Sequence, residues 1–259
     1  MKKMLYIAAI ALLIFGMESC NKDDDNGVTN NGNATTDSTN LTNPTNPNDT
    51  TQTARMPTNG EWVDLGLSVQ WYSVNLGARS SEQYGDYYAW GEVFPRSVYT
   101  WDTYIYGDYY YDGSYNYTLY KYNTIADYGT VDNKTVLEAA DDAATAVLGK
   151  DARIPTKDEW QELLDNTISE WTTENNVYGR KFTADNGNSL FLPAGGDRNY
   201  GDMCFRGETG NYMSVSLNET YPIASWCMSF HLNEQPIMNG LNDRHFGVSV
   251  RAVRSASRN

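Results

Sequence analysis

The chain has 259 residues, with 33 acidic against 19 basic side chains and a formal net charge of −14. An acidic surface repels the phosphates of nucleic acid and of anionic lipid, so neither is expected to bind the folded part directly. We therefore expect a neutral binding partner, such as a sugar or a protein.

The chain begins with the sequence MKKMLYIAAIALLIFGMESC. Two lysines precede an apolar run that is too short to span a bilayer, which is typical of a secretory signal. The run ends at Met17-Glu18-Ser19-Cys20, which resembles a bacterial lipobox. We therefore predict that residues 1–19 are a lipoprotein signal peptide and that Cys20 is the lipid attachment site. An ordinary cleaved signal followed by a chance cysteine is the alternative.

Residues 20–57 form a stretch rich in Asn, Thr and Asp. Such a stretch cannot bury enough apolar surface to offset the entropy of ordering, so we predict a disordered stalk. The acidic residues of NKDDDN directly after Cys20 resemble the export signal of Bacteroidetes-type lipoproteins, although charge runs are also common in linkers. The protein is therefore expected to be anchored by lipid in the outer membrane and exposed at the cell surface.

Two cysteines lie in the part of the chain beyond the stalk, Cys204 and Cys227. An exported protein enters an oxidising compartment, which allows these two to form a disulfide. The sequence does not show whether their Cα atoms lie close enough together, so paired and unpaired thiols both stay open.

Residues 58–259 are predicted to form one folded domain. The domain opens with EWVDLGLSVQWYSVNLG, which is typical of two short strands joined at Gly66. The stretch Tyr104–Tyr122 follows and contains nine of the chain's 20 tyrosines. Its second half is predicted to be a strand with one packed face, and the turn Gly107–Tyr115 is predicted to be an exposed aromatic patch.

Two helices are predicted after the Tyr-rich stretch. The segment VLEAADDAATAVLG is rich in Ala and Leu and ends at Gly149, and its Asp141 and Asp142 are interpreted as a solvated face. The second helix, PTKDEWQELLDN, begins with Thr156 as N-cap and Glu159 three residues later, the pattern of a capping box. Its apolar residues recur at intervals of three and four, which predicts one stripe facing the core.

The rest of the chain is predicted to form strands joined by tight turns. The segment SEWTTENNVYGRKFTAD predicts a hairpin, and Asn186-Gly187 is a strong turn dipeptide. The final run FGVSVRAVR alternates, with its small apolar residues predicted on one face and Ser249 and Arg251 on the other. Strands, then two helices, then strands again indicate an α+β fold with both chain ends in the sheet.

Several motifs occur in a fixed order along the domain: VDLGLSVQW, YGDYYAWGE, KYNT, YGTVDNKT, DDAA, RIPTKDEWQELL, NGNSLFLPAGGDRN and FGVSVRAVR. Together they resemble the Fibrobacter succinogenes major paralogous (FISUMP) domain family over residues 61–254. The resemblance implies a C-type-lectin-like domain, related to the formylglycine-generating enzymes, with two helices packed on short, mainly antiparallel sheets. The segments YMSVS, LGKDAR and LNDRHFG depart from the family pattern, which puts a shared ligand surface in doubt.

The sequence lacks the short motifs of serine hydrolases, zinc proteases and phosphate-binding loops. Its two histidines, His231 and His245, lie on different predicted elements. We interpret them as separate surface side chains, and we predict that the protein is not an enzyme.

The relatives implied by the resemblance use metals in two ways. The copper site of the formylglycine-generating enzymes has two cysteines, and Cys227 resembles the second of them. Pro222 stands at the position of the first and has no thiolate to offer. Calcium-dependent lectins use spaced carboxylates and amides, and the spacing between Gln235-Pro236 and Asn242-Asp243 is too short for that pattern. We therefore expect no metal and no cofactor.

The remaining chemistry is recognition by aromatic side chains. A sugar stacks its C–H face on Tyr or Trp rings while neighbouring Asp and Asn accept its hydroxyls, and such rings are enriched at recognition sites. We predict a non-catalytic domain that binds a glycan or a protein at the cell surface, and a structural component of the cell envelope is the alternative. The candidate ligand-binding residues are Tyr109, Tyr110, Tyr111, Asp112 and Tyr115.

Overall fold

A computed structural model of the protein describes residues 50–256. The predicted signal peptide, Cys20 and the stalk up to residue 49 lie outside these residues. Within them, no helix combines the length and the apolar character that crossing a membrane requires.

The described part consists mainly of short strands. Its α helices are α1 Ala143–Leu148 and α2 Lys157–Asp165. Before the helices come β1 Trp62–Val63, β2 Val69–Asn75, β3 Tyr87–Tyr88, β4 Gly107–Tyr111 and β5 Tyr115–Leu119. After them come β6 Thr167–Glu174, β7 Val177–Ala184, β8 Ser189–Pro193, β9 Asp197–Asn199, β10 Asp202–Cys204, β11 Thr209–Leu217, β12 Ala224–His231, β13 Ile237–Asp243, β14 Val248–Ser249 and β15 Arg251–Ser255.

The strands form several small sheets. The largest has the order β13-β12-β11-β14-β3, and all its pairs are antiparallel except β11 with β14. Two three-stranded sheets have the orders β1-β2-β15 and β6-β7-β8, and two hairpins are formed by β4-β5 and β9-β10. At this level the predicted α+β class, with two helices and short, mainly antiparallel sheets, is confirmed.

The two ends of the domain meet in one sheet, as predicted. Strand β15 pairs with β2, and β1 pairs with β2 on its other side. The alternation predicted for FGVSVRAVR is confirmed, because Val248, Val250 and Ala252 share one apolar cluster, and Ser249 and Arg251 on the other face are buried as well. Arg251 is fully buried there, and its guanidinium donates to the Asn75 side chain and to the carbonyls of Tyr72 and Phe191.

The features predicted from local signals are present. Helix α2 begins after Thr156, and Thr156 and Glu159 form the reciprocal bonds of a capping box. The turn between β6 and β7 has positive φ at Asn175 and Asn176, and Gly187 has a φ of 84° in the next turn. These conformations suit Asn and Gly because their steric penalty is low there.

The segment before α2 differs from its prediction. A short 3-10 turn, Ala139–Asp141, precedes α1, and Asp142 caps α1 by accepting from the Thr145 amide. The solvated face predicted for the two aspartates is wrong, because both are buried. They remain buried because they are bonded: Asp142 accepts the Ile154 amide at 2.9 Å, and Asp141 accepts the Tyr106 hydroxyl at 2.7 Å.

The folded part begins before residue 58, the predicted boundary. The Ser97 amide donates to the Thr51 carbonyl and the Thr53 amide donates to the Pro95 carbonyl, each at 2.8 Å. Three residues further on, the Met56 amide donates to Asp86 at 2.7 Å. Part of the segment assigned to the stalk is therefore attached to the domain by main-chain hydrogen bonds.

The disulfide allowed between Cys204 and Cys227 is not formed, because Cys227 is a free thiol. Cys227 lies on β12, an inner strand of the largest sheet, opposite Met213, and belongs to a buried apolar cluster. Cys204 ends the separate β9-β10 hairpin, where its strand partner is Asp197. The two cysteines therefore belong to different sheets.

One apolar cluster is mainly aromatic and packs against the β4-β5 hairpin. It contains Trp101, Leu119 and Ile223, together with buried tyrosines. The tyrosines of this cluster are Tyr87, Tyr99, Tyr104 and Tyr106. Partly buried Tyr109 and Tyr117 of the hairpin pack against it, so the hairpin is attached to the core through aromatic contacts.

Candidate functional site

The candidate residues lie on the β4-β5 hairpin. Tyr109 to Tyr111 belong to β4, and Tyr111 stands directly opposite Tyr115. The tip is a tight turn in which Asp112 accepts from the Ser114 amide at 3.3 Å and from the Asn116 side chain at 2.8 Å. The predicted turn over Gly107–Tyr115 is therefore wrong in its first half, which is strand.

The predicted tyrosines differ in their exposure to water. Tyr110 is 57% exposed, Tyr111 62% and Tyr115 71%, while Tyr109 is partly buried. Because side chains alternate along a strand, Tyr109 and Tyr111 share one face of the hairpin and Tyr110 lies on the other. The exposed patch thus has two sides rather than one row of three adjacent rings.

The rings on the first face touch one another in series. The Tyr109 and Tyr115 rings are stacked with centroids 6.1 Å apart, and Tyr111 lies 5.2 Å from Tyr115. Further contacts continue from Tyr117, which lies 5.2 Å from Tyr109, through two rings from other segments. We call this series the tyrosine ladder: Tyr111, Tyr115, Tyr109, Tyr117, Tyr128 and Tyr221.

A carboxyl group lies beside one end of the tyrosine ladder. Burial raises the pKa of Asp243 to about 6. Burial also raises the pKa of Tyr117 to about 12, and the nearby charge of Asp243 adds to this rise. The pKa of Tyr221 is raised by the same two causes. The charge of Asp243 therefore acts on the Tyr117 and Tyr221 end of the ladder.

His245 is not the surface side chain that the sequence indicated. It is buried against Trp101, with ring centroids 4.9 Å apart, and its Nδ1 has no hydrogen-bond partner. Burial lowers its pKa to about 3, so the ring is neutral at physiological pH. His231 is on β12, and its Nδ1 lies 2.9 Å from the Leu232 carbonyl. The two histidines do not form a pair that could share a proton or a metal.

The position that resembles a copper ligand has the wrong chemistry. Burial raises the pKa of the Cys227 thiol, so the thiol stays protonated and offers no thiolate. The Pro222 carbonyl accepts from the Arg244 guanidinium at 3.0 Å. Across residues 50–256, no group of three or more His, Cys, Asp or Glu side chains is arranged to hold a metal ion.

The structure has a further candidate site, a cleft, that was not predicted from the sequence. Its volume is about 710 Å³, and its lining includes residues far apart in the chain. We call it the arginine cleft and define it by Tyr84, Asp86, Tyr87, Arg198 and Arg206. The sequence contains little sign of this cleft. The segment YGDYYAWGE is interpreted only as a family motif. Arg198 lies on β9 and Arg206 follows β10, far from that segment in the chain.

The chain was compared with known proteins in three ways. No protein-family model, no curated protein and no solved structure matches it.

Proposed function

We propose that the protein is a lipid-anchored cell-surface protein whose domain binds a glycan without catalysis. The domain would be C-type-lectin-like and of the FISUMP kind, as the ordered motifs of the sequence imply. The observed α+β class, with two helices on short antiparallel sheets, supports this assignment at the level of class. The observation that carries the proposal is the tyrosine ladder.

The tyrosine ladder suits a sugar ring for two reasons. Aromatic faces at its outer end are more than half exposed, and a sugar's C–H face can cover such a ring without losing hydrogen bonds. The ladder also stands on a packed aromatic cluster, so its rings are held in place before a ligand arrives. A site that is already ordered loses less conformational entropy on binding.

Polar groups beside the ladder supply the second half of sugar recognition. Asp112 lies at the hairpin tip, and Asp243 lies at the other end near Tyr117 and Tyr221. Carboxylate and amide oxygens accept hydrogen bonds from hydroxyl groups. Acceptors at both ends of an aromatic row favour an oligosaccharide over a single sugar.

The absence of catalysis is proposed from the state of two side chains, the Cys227 thiol and the His245 imidazole. Cys227 is a protonated, buried thiol, and His245 is a buried, neutral ring. General acid–base or nucleophilic chemistry needs such groups near a substrate and with a pKa close to the working pH. Neither group meets both conditions.

The proposal is tested by probing a glycan array with the full chain, purified in detergent, in calcium and in EDTA. We expect Tyr111→Ala and Tyr115→Ala to weaken binding about 10-fold or more, as for aromatic residues at the centre of an interface. Tyr178→Ala is the matched control, because Tyr178 is also an exposed tyrosine on a strand but stacks on Trp171. Retention of no glycan in either buffer would refute the proposal.

The anchor is tested separately in cells. Radiolabelled fatty acid should enter the wild-type protein and not Cys20→Ala, because Cys20 is the only cysteine in the lipobox-like segment. Protease added to intact cells should remove the domain if it is exposed at the surface. Equal labelling of both proteins would contradict the assignment of Cys20 as the lipid attachment site.

A further inference from the structure

The arginine cleft has the size and shape of a ligand site. Its volume of about 710 Å³ lies within the range of about 300–1,000 Å³ that small-molecule sites occupy. The 82–87 segment lines it together with Arg198 and Arg206. These parts are joined by the fold and not by the sequence, so the cleft is a product of tertiary structure.

Two arginines in the cleft keep their charge available. The Arg198 guanidinium lies 5.5 Å from the centre of the Tyr87 ring, and that of Arg206 lies 4.9 Å from the centre of the Tyr84 ring. Among residues 50–256, neither guanidinium has a carboxylate within ion-pair distance. The Nε atom of Arg206 is buried and has no hydrogen-bond partner. A buried donor without a partner is costly unless a ligand satisfies it.

Other arginines of the domain are neutralised internally. Arg96 pairs with Glu92, and Arg153 pairs with Glu159. Fully buried Arg251 donates to main-chain and side-chain oxygens. In a chain with a net charge of −14, two stacked guanidiniums that face a cleft are a local concentration of positive charge. A planar guanidinium matches the two oxygens of a carboxylate.

Another part of the cleft lining, which we call the acidic wall, consists of Glu82, Gln83 and Asp86. Asp86 already accepts the Met56 amide at 2.7 Å. Burial raises the pKa of Asp86 above its ordinary range. Carboxyl and amide oxygens accept hydroxyl hydrogen bonds, so this wall suits the hydroxyl groups of a sugar. A ligand that satisfies both the arginines and the acidic wall carries one carboxylate and several hydroxyls.

We infer that the arginine cleft binds an acidic sugar, a uronic or a sialic acid residue. Its carboxylate pairs with Arg198 and Arg206, and its hydroxyls donate to Glu82 and Asp86. The rings of Tyr84 and Tyr87 hold the two guanidiniums in position. This site is separate from the tyrosine ladder and specifies a charged ligand that the ladder does not require.

The test is isothermal titration calorimetry with the full chain in detergent. The probes are trigalacturonic acid and its methyl ester, and sialyllactose and lactose. Each pair differs mainly in the charged group. We expect at least one acid to bind about 10- to 100-fold more tightly than its neutral counterpart, because charge-assisted bonds are lost in the latter. If both acids bind no better than their neutral counterparts, the inference is overturned.

Variants assign the binding to the cleft. Arg198→Gln and Arg206→Gln should each weaken acid binding about 10-fold, and Arg206→Lys should weaken it because the planar fork is lost while the charge is kept. Arg79→Gln is the matched control, because Arg79 is exposed and lies outside the cleft lining. Wild-type affinity in both cleft Gln variants would overturn the inference. Since Tyr111→Ala should leave acid binding unchanged, failure of the ladder proposal and failure of this one are distinguishable.

Discussion

The Tyr-rich stretch contains two regions that differ in where their hydroxyl groups bind. In one region, Tyr104, Tyr106 and Tyr122 are buried. The Tyr104 hydroxyl donates to the Trp90 carbonyl at 2.8 Å, and the hydroxyls of Tyr106 and Tyr122 both donate to Asp141. In the other region, the outer end of the tyrosine ladder lies in water. One amino-acid type thus builds both a core and a surface within a few residues.

The carboxylates beside the two regions explain the difference. Asp141 accepts from Tyr106, Tyr122 and the Lys121 ammonium, so the buried hydroxyls have a charged partner. Asp243 lies near the ladder without a hydrogen-bond donor to its side chain among residues 50–256. A satisfied carboxylate stabilises a polar core, whereas an open one is available to a ligand. The two regions therefore differ in whether their neighbouring carboxylate is satisfied by hydrogen bonds within the fold.

The largest effect is expected from truncating one ring in each region. Tyr122→Ala should lower the free energy of unfolding by about 3–5 kcal/mol, because it leaves a cavity and unpaired polar groups. Tyr111→Ala should change it by less than about 0.5 kcal/mol, because its ring is exposed. Urea denaturation monitored by circular dichroism measures both. Equal losses in the two variants would contradict the division into core and surface.

The next effect concerns the shared carboxylate. Asp141→Asn should lower the free energy of unfolding by about 1–3 kcal/mol, because an amide is a weaker acceptor for buried hydroxyls. Glu138→Gln is the matched control, since Glu138 also pairs with Lys121 but its side chain is 46% exposed, against 7% for Asp141. The control should cost less than about 1 kcal/mol. A control as damaging as Asp141→Asn would show that the Lys121 ion pair, and not the tyrosine hydroxyls, matters.

The third effect depends on pH. The pKa of Asp243 is about 6 in the fold against an ordinary 3.8, so the folded state holds this proton more tightly than the unfolded state. The resulting stability is fully present below pH 3.8 and is lost as pH rises through 6. Asp243→Asn should therefore flatten the fall in unfolding free energy between about pH 4 and pH 7, by roughly 1–3 kcal/mol.

Asp197 should keep part of the pH dependence of the unfolding free energy in the Asp243→Asn variant. Burial raises its pKa to about 6 as well, so a slope from Asp197 should survive in Asp243→Asn. Thermal melts at a series of pH values measure the difference between wild type and variant. An Asp243→Asn profile that is parallel to that of the wild type would show that Asp243 does not titrate as described.

The smallest effect is expected at the tip of the hairpin. Gly113 has a φ of 106° and open space around its Cα, so an added Cβ meets conformational strain but no clash. Gly113→Ala should cost about 1 kcal/mol. Gly201→Ala is the control, because Gly201 also has open space and lacks a positive φ. Identical melting temperatures for the two variants would show that an alanine at the tip causes no measurable strain and that Gly113 is not needed for the conformation of the hairpin.

Local features of the fold could be predicted from the sequence. Helix α2 and the β6-β7 turn depend on residues within one turn of each other, namely Thr156 with Glu159 and Asn175 with Asn176. Strand β4 could not be predicted, because Asp and Gly around three tyrosines are typical of a turn. Its strand character comes from pairing with β5, and β5 was predicted from its own alternation.

The missed features depend on contacts between distant residues. Asp141 is buried because Tyr106, 35 positions earlier, donates to it, and no local pattern reports that contact. His245 is buried against Trp101, which belongs to a different part of the chain. The arginine cleft likewise joins the 82–87 segment to Arg198 and Arg206. Composition identified the aromatic surface, and only the tertiary structure reveals the charged one.

The attachment of Thr51 and Thr53 has a mechanical consequence. Both residues bond to the segment Pro95–Ser97, and this segment and Thr53 also line the arginine cleft. We expect a force applied at residue 50 to load these hydrogen bonds first and to widen the cleft before the core sheets yield. Pulling on a single molecule should show an early, small extension that Thr53→Pro weakens, because this substitution removes the Thr53 amide that donates to the Pro95 carbonyl. A pull on the N-terminal segment would then change the shape of the cleft while the core sheets stay intact.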